Sequence, residues 1–241
     1  MREPPLRPPH HLPPHHLVLE HDEALRRAAR ARRTAPSTDR GKLMSIVNDA
    51  IPAVGPDPAE EAVTALLTAL GVDLAEESLA DTPRRVAAAY RELLEPHEFT
   101  ATTFPNEDGC DELVLVRSIP FQSLCCHHLL PFFGVAHVGY VPGKRVLGLS
   151  KLARVVQASA RGLQIQERIT TRIADWLTEE LDPLGAGAVV EAQHTCMSVR
   201  GVKAVGAWTT TSAVRGVLRE DPHRREEFMR RTESGGGAGW R

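Results

Sequence analysis

Ser123-Leu124-Cys125-Cys126-His127-His128-Leu129-Leu130-Pro131-Phe132 is the stretch around which the rest of the chain is ordered. Leu113-Val114-Leu115-Val116 runs towards it as a strand. Gly134 to Val141 alternates and returns, which predicts a hairpin with the Cys/His segment in its connection. Two thiols and two imidazoles stand side by side in an apolar frame, and a second set, His194-Thr195-Cys196, lies far downstream. Soft ligands gathered this way point to a transition metal, with zinc first.

The spacing supports a shared site. Cys125 and His128 are three apart, so one turn of chain presents both from the same side. The segment Ala188 to Met197 alternates as a strand does, which puts Val190, Ala192, His194 and Cys196 on one face. That strand offers Cys196 as a third ligand. Two cysteines and one histidine with a fourth position open to water is a catalytic zinc pattern rather than a closed structural one. The plainer alternative is a set of buried free cysteines beside a surface His-His pair. The local density of ligands weighs against it.

Composition bounds the rest. The chain has 241 residues, 42% hydrophobic and 25% charged, enough for one sizeable core with an appendage. A formal net charge of -2 gives no global attraction to nucleic acid or to an anionic membrane surface. Four cysteines in a chain this long are not a disulfide framework, the N-terminus has no apolar signal region, and no window approaches a membrane span. The expectation is a cytoplasmic protein with reduced thiols.

Residues 1–43 differ in character from the remainder of the chain. Pro4-Pro5, Pro8-Pro9 and Pro13-Pro14 alternate with His10-His11 and His15-His16 before an Ala/Arg run, a composition that reads as a disordered leader. The abrupt change before Met44 suggests that Met44 is the natural start. A helical segment is expected over 44–110, a catalytic domain over 111–232 and a disordered Gly-rich tail over 233–241.

Within the helical segment, Asp57-Pro58 with Glu60 signals a helix start, with Val63, Leu66, Leu67 and Leu70 as its buried stripe and Gly71 as its stop. Thr82-Pro83 repeats the signal for a second helix, with Val86, Tyr90, Leu93 and Leu94 inward. Arg84 and Arg85 in its first turn oppose the helix dipole unless an anion is near.

After the strand Val146-Leu147-Gly148-Leu149, Ser150 reads as an N-cap, followed by Lys151 and Arg154 on one face of the first turn. Two cations at a positive helix end form either a solvated basic patch or a phosphate site. A longer helix is expected from Leu163 to Leu181 on Ile165, Ile169, Ile173, Trp176 and Leu177, with Gln166 and Glu167 off the stripe. Val202 to Thr211 reads as a partner strand for the His194 strand, and Asp221 to Arg231 as a charged last helix. This order favours an α+β domain, an antiparallel sheet with helices on one face.

The residues now in view resemble the GTP cyclohydrolase I family. The resemblance runs from about Asp57 to Phe228. It rests on Asp81-Thr82-Pro83-Arg84-Arg85-Val86, Cys125-Cys126-His127-His128, Gly148-Leu149-Ser150-Lys151-Leu152-Ala153-Arg154, Gln164-Ile165-Gln166-Glu167-Arg168, His194-Thr195-Cys196-Met197-Ser198-Val199-Arg200-Gly201 and Thr209-Thr210-Thr211-Ser212. It implies a tunnelling fold whose sheets join across subunits into a barrel, a homodecamer with interfacial active sites. It also implies hydrolytic opening of the imidazole ring of GTP to formate and 7,8-dihydroneopterin triphosphate, the first step of tetrahydrofolate and pterin biosynthesis.

By the same resemblance Cys125, His128 and Cys196 bind Zn2+, and His127, His194 and Ser150 serve proton transfer. Glu167 with the Gln166 backbone reads the guanine edge. Lys151, Arg154, Arg200 and Arg85 hold the triphosphate, some from a neighbouring subunit. The resemblance leaves no role for nucleic acid or membrane. One position departs: the family usually has Glu where this chain has Cys126. A non-catalytic paralogue that keeps the zinc and the nucleotide is the competing reading, and the retained pair of proton-transfer histidines argues against it.

Overall fold

The computed structural model describes residues 57–233. The expected Pro/His-rich leader, the Met44 start and the tail from Ser234 lie outside the described residues. Helix α1 (Pro58–Ala69) begins where the Asp57 carboxylate accepts from the Ala59 N–H at 3.0 Å, and it ends at Gly71, whose φ of 80° suits a residue without Cβ. Its expected buried stripe is not buried: Leu66 is 58% and Leu70 70% exposed, while Val63 and Leu67 are half-buried. The helix packs chiefly on α2 (Thr82–Leu94), too narrow a partner to cover four apolar side chains. In α2, Leu94 likewise stays exposed, and Arg84 and Arg85 turn back to the Asp81 carboxylate at 3.0 and 3.3 Å. Asp81 is the anion that answers the adverse dipole, and the Arg84 hydrogen bond holds its carboxyl below the usual range.

The core is a five-stranded sheet in the order β5-β2-β3-β6-β7, with a separate pair formed by β1 (Thr103–Pro105) and β4 (Arg145–Leu147). Strands β2 (Val114–Cys125), β3 (Pro131–Val141), β6 (Gly185–His194) and β7 (Thr209–Gly216) pair antiparallel. The two-residue β5 (Leu163–Gln164) joins β2 in parallel. A bulge between Val116 and Ile119 puts Ser118 at φ 55° and bends β2.

Helices α3 (Leu149–Ala160) and α4 (Gln166–Leu181) lie on one face of the sheet. Ala186, Ala188 and Ala192 keep that face of β6 low, so Ile169, Ile173 and Leu177 of α4 seat fully buried against it. Burial of each such side chain is worth about 1.5–3 kcal/mol. The other face is not bare, contrary to the expectation of helices on one side only. After the short α6 (Val217–Glu220), α7 (Pro222–Glu233) lays Phe228 over Gly187, where a Cβ would stand 2.8 Å from the ring.

Four expected boundaries move. Ser150 is not the N-cap of α3; Gly148 is, tied by its N–H to the Thr102 carbonyl, and Ser150 sits exposed in the first turn. Helix α4 starts at Gln166 rather than Leu163, because Leu163 and Gln164 are paired to β2. Strand β7 starts at Thr209 rather than Val202, since Gly201, Lys203 and Gly206 all adopt positive φ, which a strand excludes. Cys196 is not on the strand: β6 ends at His194, and Thr195–Ser198 forms one helical turn, α5.

Candidate active site and metal centre

The β2–β3 connection is a tight loop. The Leu129 N–H returns to the Cys125 carbonyl at 2.9 Å, Leu129 takes φ 55°, and the Cys125 N–H donates to the Leu130 carbonyl at 2.9 Å. Tyr90 of α2 donates its hydroxyl to the Leu129 carbonyl at 2.9 Å and pins the loop from outside the sheet. This winding lifts His127 and His128 to the surface while Cys125 stays buried. At the other side, the Thr195 hydroxyl donates to the Pro131 carbonyl and anchors α5 against the start of β3. The register that pairs Phe132 with His194 then brings the two halves of the site together.

Cys125, His128 and Cys196 place their donor atoms within 4.8 Å of one another. Cys125 Sγ lies 3.7 Å from His128 Nδ1, close to the roughly 3.6 Å edge expected between sulfur and nitrogen ligands on a tetrahedral zinc. Burial pushes the Cys196 thiol up, and the nearby Cys125 adds to the effect. A thiol raised in this way, as Cys196 is, ionises readily only beside a cation, so the donor set fits a zinc ion chemically as well as in spacing. His127 Nδ1 also lies near Cys125 Sγ, at 3.8 Å, but His127 is outside the three-way cluster. Cys126 is outside it too. Its N–H donates to the Gln164 carbonyl, and burial, then Cys125, raises its thiol.

His194 is half-buried, stacked on Phe132 with ring centroids 4.5 Å apart and planes 8° from parallel. Burial pushes its imidazole below the usual histidine range, and the charge of Glu167 acts in the opposite direction. Its Nε2 is 2.8 Å from Gln166 Oε1. Gln166 is thus not off the buried face of α4 as expected: it is 2% exposed, with its amide under β6 and β7. Glu167, next along the helix, is exposed as expected.

The basic residues lie on separate elements. Lys151 and Arg154 lie at the start of α3, whose N-cap Gly148 has no side chain to answer the first-turn N–H groups. Arg200 donates to the Cys196 carbonyl at 3.2 Å, and Arg85 sits on α2 against Asp81. The sequence signalled neither the Gln166 amide, the Phe132 stack nor the Tyr90 strut. Only the i, i+4 distance from Gln166 to the buried Thr170 hinted that this side of α4 faces inward.

Comparison with known proteins agrees with the geometry. The GTP cyclohydrolase I family profile matches residues 59–233. GTP cyclohydrolase 1 of Halalkalibacterium halodurans is 54% identical over 176 residues, covering 70% of this chain and 93% of that protein. The Aquifex aeolicus protein of the same name is 47% identical over 178 residues, 74% of this chain and 97% of that protein. That of Mycobacteroides abscessus is 53% identical over 178 residues, covering 71% and 86%. The mixed sheet and its helices fit a tunnelling fold, and the aligned stretch takes in both halves of the cluster: the chain belongs to the GTP cyclohydrolase I family.

Proposed function

We propose that the protein opens the imidazole ring of guanine in GTP by hydrolysis, releasing formate and forming 7,8-dihydroneopterin triphosphate. The observation that carries this is the convergence of Cys125, His128 and Cys196 beside His127 and His194. Held by those three residues, zinc supplies Lewis acidity and brings the pKa of a water towards ~7, so a nucleophile exists at neutral pH.

The chain's own groups supply the remainder. His194, kept neutral by burial, accepts or returns a proton at the guanine ring, and the stacked Phe132 fixes the plane in which it does so. His127, two residues from Cys125, is the second proton carrier, and Ser150 lies at the ribose. Glu167 offers the carboxylate that pairs with the amino and ring N–H edge of guanine. Lys151, Arg154, Arg200 and Arg85 take the triphosphate, with the uncapped start of α3 adding N–H groups and dipole.

A homodecamer with shared sites belongs to the same proposal. It is supported by the apolar surface beside the cluster, where Val202 is 73% and Val205 83% exposed, and by the uncovered Leu66 and Leu70 of α1. No helix among the described residues is long and apolar enough to cross a membrane. The test is incubation of the purified full-length protein with GTP, with formate and the fluorescent oxidised pterin assayed with and without chelator. Both products, lost with chelator and regained with zinc, are expected. Tight GTP binding without formate would sink the reading in favour of a non-catalytic paralogue.

A further inference from the structure

Gln166 has a hydrogen-bond arrangement with one consistent solution. Its Nε2 lies 2.9 Å from the Val190 carbonyl oxygen and 2.8 Å from that of Thr209, and neither oxygen can donate. Both amide hydrogens are therefore spent on these two carbonyls. The reversed amide would set Oε1 against two acceptors in a site only 2% exposed, where repulsion and desolvation are both costly.

The hydroxyls around it agree. Thr170 Oγ1 donates to the Gln166 carbonyl at 2.9 Å, which uses its single hydrogen. At the 2.6 Å contact between Thr170 and Thr211, Thr211 must then be the donor. Thr211 Oγ1 keeps its lone pairs towards Gln166 Nε2 at 3.3 Å. Thr211, Thr170 and the Gln166 backbone form a chain with one direction, so a reversed amide would set Oε1 against the Thr211 lone pairs as well as the two carbonyls.

Gln166 Oε1 is left as an acceptor, and His194 Nε2 faces it at 2.8 Å. An imidazole nitrogen at that distance from a carbonyl-type oxygen carries the hydrogen. We infer that the Gln166 side chain is a positioning residue: it holds His194 as the Nε2–H tautomer and leaves Nδ1 as the nitrogen that exchanges a proton with substrate. The stack on Phe132 fixes the ring plane and the amide fixes the rotation within it. This role is separate from any use of the Gln166 backbone in reading guanine. It rests on the assignment of His194 as a proton-transfer group.

The test reads the tautomer directly. Magic-angle-spinning 15N spectra of sedimented, histidine-labelled, zinc-loaded full-length protein are recorded without substrate, the His194 signals being those lost in His194→Asn. A protonated Nε2 and a bare Nδ1 are expected; a bare Nε2 with a protonated Nδ1 overturns the inference. In Gln166→Leu, which keeps an apolar group in the buried site, the two tautomers should mix. Its kcat should fall at least ~10-fold with KM changed by less than about threefold, as loss of an aligned proton carrier implies. An unchanged tautomer and kcat in that variant likewise overturns the inference. An Nε2–H signal in a protein that never opens GTP upholds the tautomer held by Gln166 but overturns the proton-exchange part together with the proposed function.

Discussion

The Phe132 ring lies flat on the His194 imidazole, 8° from parallel at 4.5 Å, and the two residues are direct cross-strand partners on β3 and β6. Phe132 is fully buried and meets Phe121 edge-on at 6.1 Å, so it cannot give way to let the imidazole tilt. Phe132→Leu keeps the site apolar but removes the flat surface. The expected outcome is a loss of about 1–3 kcal/mol of stability and a lower kcat at near-normal zinc content. Thermal denaturation, metal analysis and steady-state kinetics check the three parts; a normal kcat in a folded variant contradicts the role given to the stack.

Cys196→Ser should strip both metal and turnover. The serine hydroxyl is a poor zinc ligand, and the change removes the one donor of the cluster that comes from outside the β2–β3 connection. Metal content by atomic absorption should fall towards zero, and circular dichroism should show the sheet retained. The core on the α3/α4 face includes neither His128 nor the Cys196 loop among its fully buried residues.

Cys126 is half-buried, outside the three-donor cluster and held by its backbone to Gln164. Cys126→Glu puts in place the residue that the family resemblance leads one to expect, without touching a donor atom of the cluster. Activity should stay within about tenfold, or ~1.4 kcal/mol of barrier. Complete loss in a variant that still binds zinc would show that the thiol has a direct part in the reaction.

His137 is fully buried on β3, accepting the Ser118 N–H at the bulge, with Glu191 of β6 at 3.5 Å and Arg117 of β2 nearby. Burial holds its imidazole below the ordinary histidine range; Glu191 pulls the other way and Arg117 reinforces the drop. The native chain therefore keeps His137 neutral where the unfolded chain takes up a proton. Its contribution is complete above about pH 6.5 and is lost as the pH falls below that, by at most ~1.4 kcal/mol per pH unit. His137→Asn retains an acceptor for Ser118 and removes the titration. Denaturant midpoints from pH 7 to pH 5 should fall more steeply for the natural protein than for this variant; parallel curves would refute the assignment.

Much of the site could be read from the chain, because its ligands are short local patterns. Density and spacing single out Cys125, His128 and Cys196, and the structure brings them together. The helix start at Asp57 comes from a side-chain cap and that at Thr82 from the proline beside it, both features that act within one turn. What spacing could not show was anything decided by distant packing. Gln166 looks like a solvated residue by periodicity, yet β6 and β7 supply carbonyls that bury it. Alternation runs Cys196 onto the strand, but the Thr195 hydroxyl on Pro131 ends β6 at His194. Leu66 and Leu70 have the spacing of a core stripe and no core to meet within one chain.

The two halves of the candidate metal centre are separated by the whole of β3, α3, α4 and β6, and the β3–β6 register that pairs Phe132 with His194, with the Thr195 bond to Pro131, closes that gap. A slip of one residue between these strands would turn His194 to the opposite face and carry Cys196 away from the loop. A chain misaligned in this way would not bring the three donor atoms within reach of one another, so zinc uptake on refolding would report the register of the sheet.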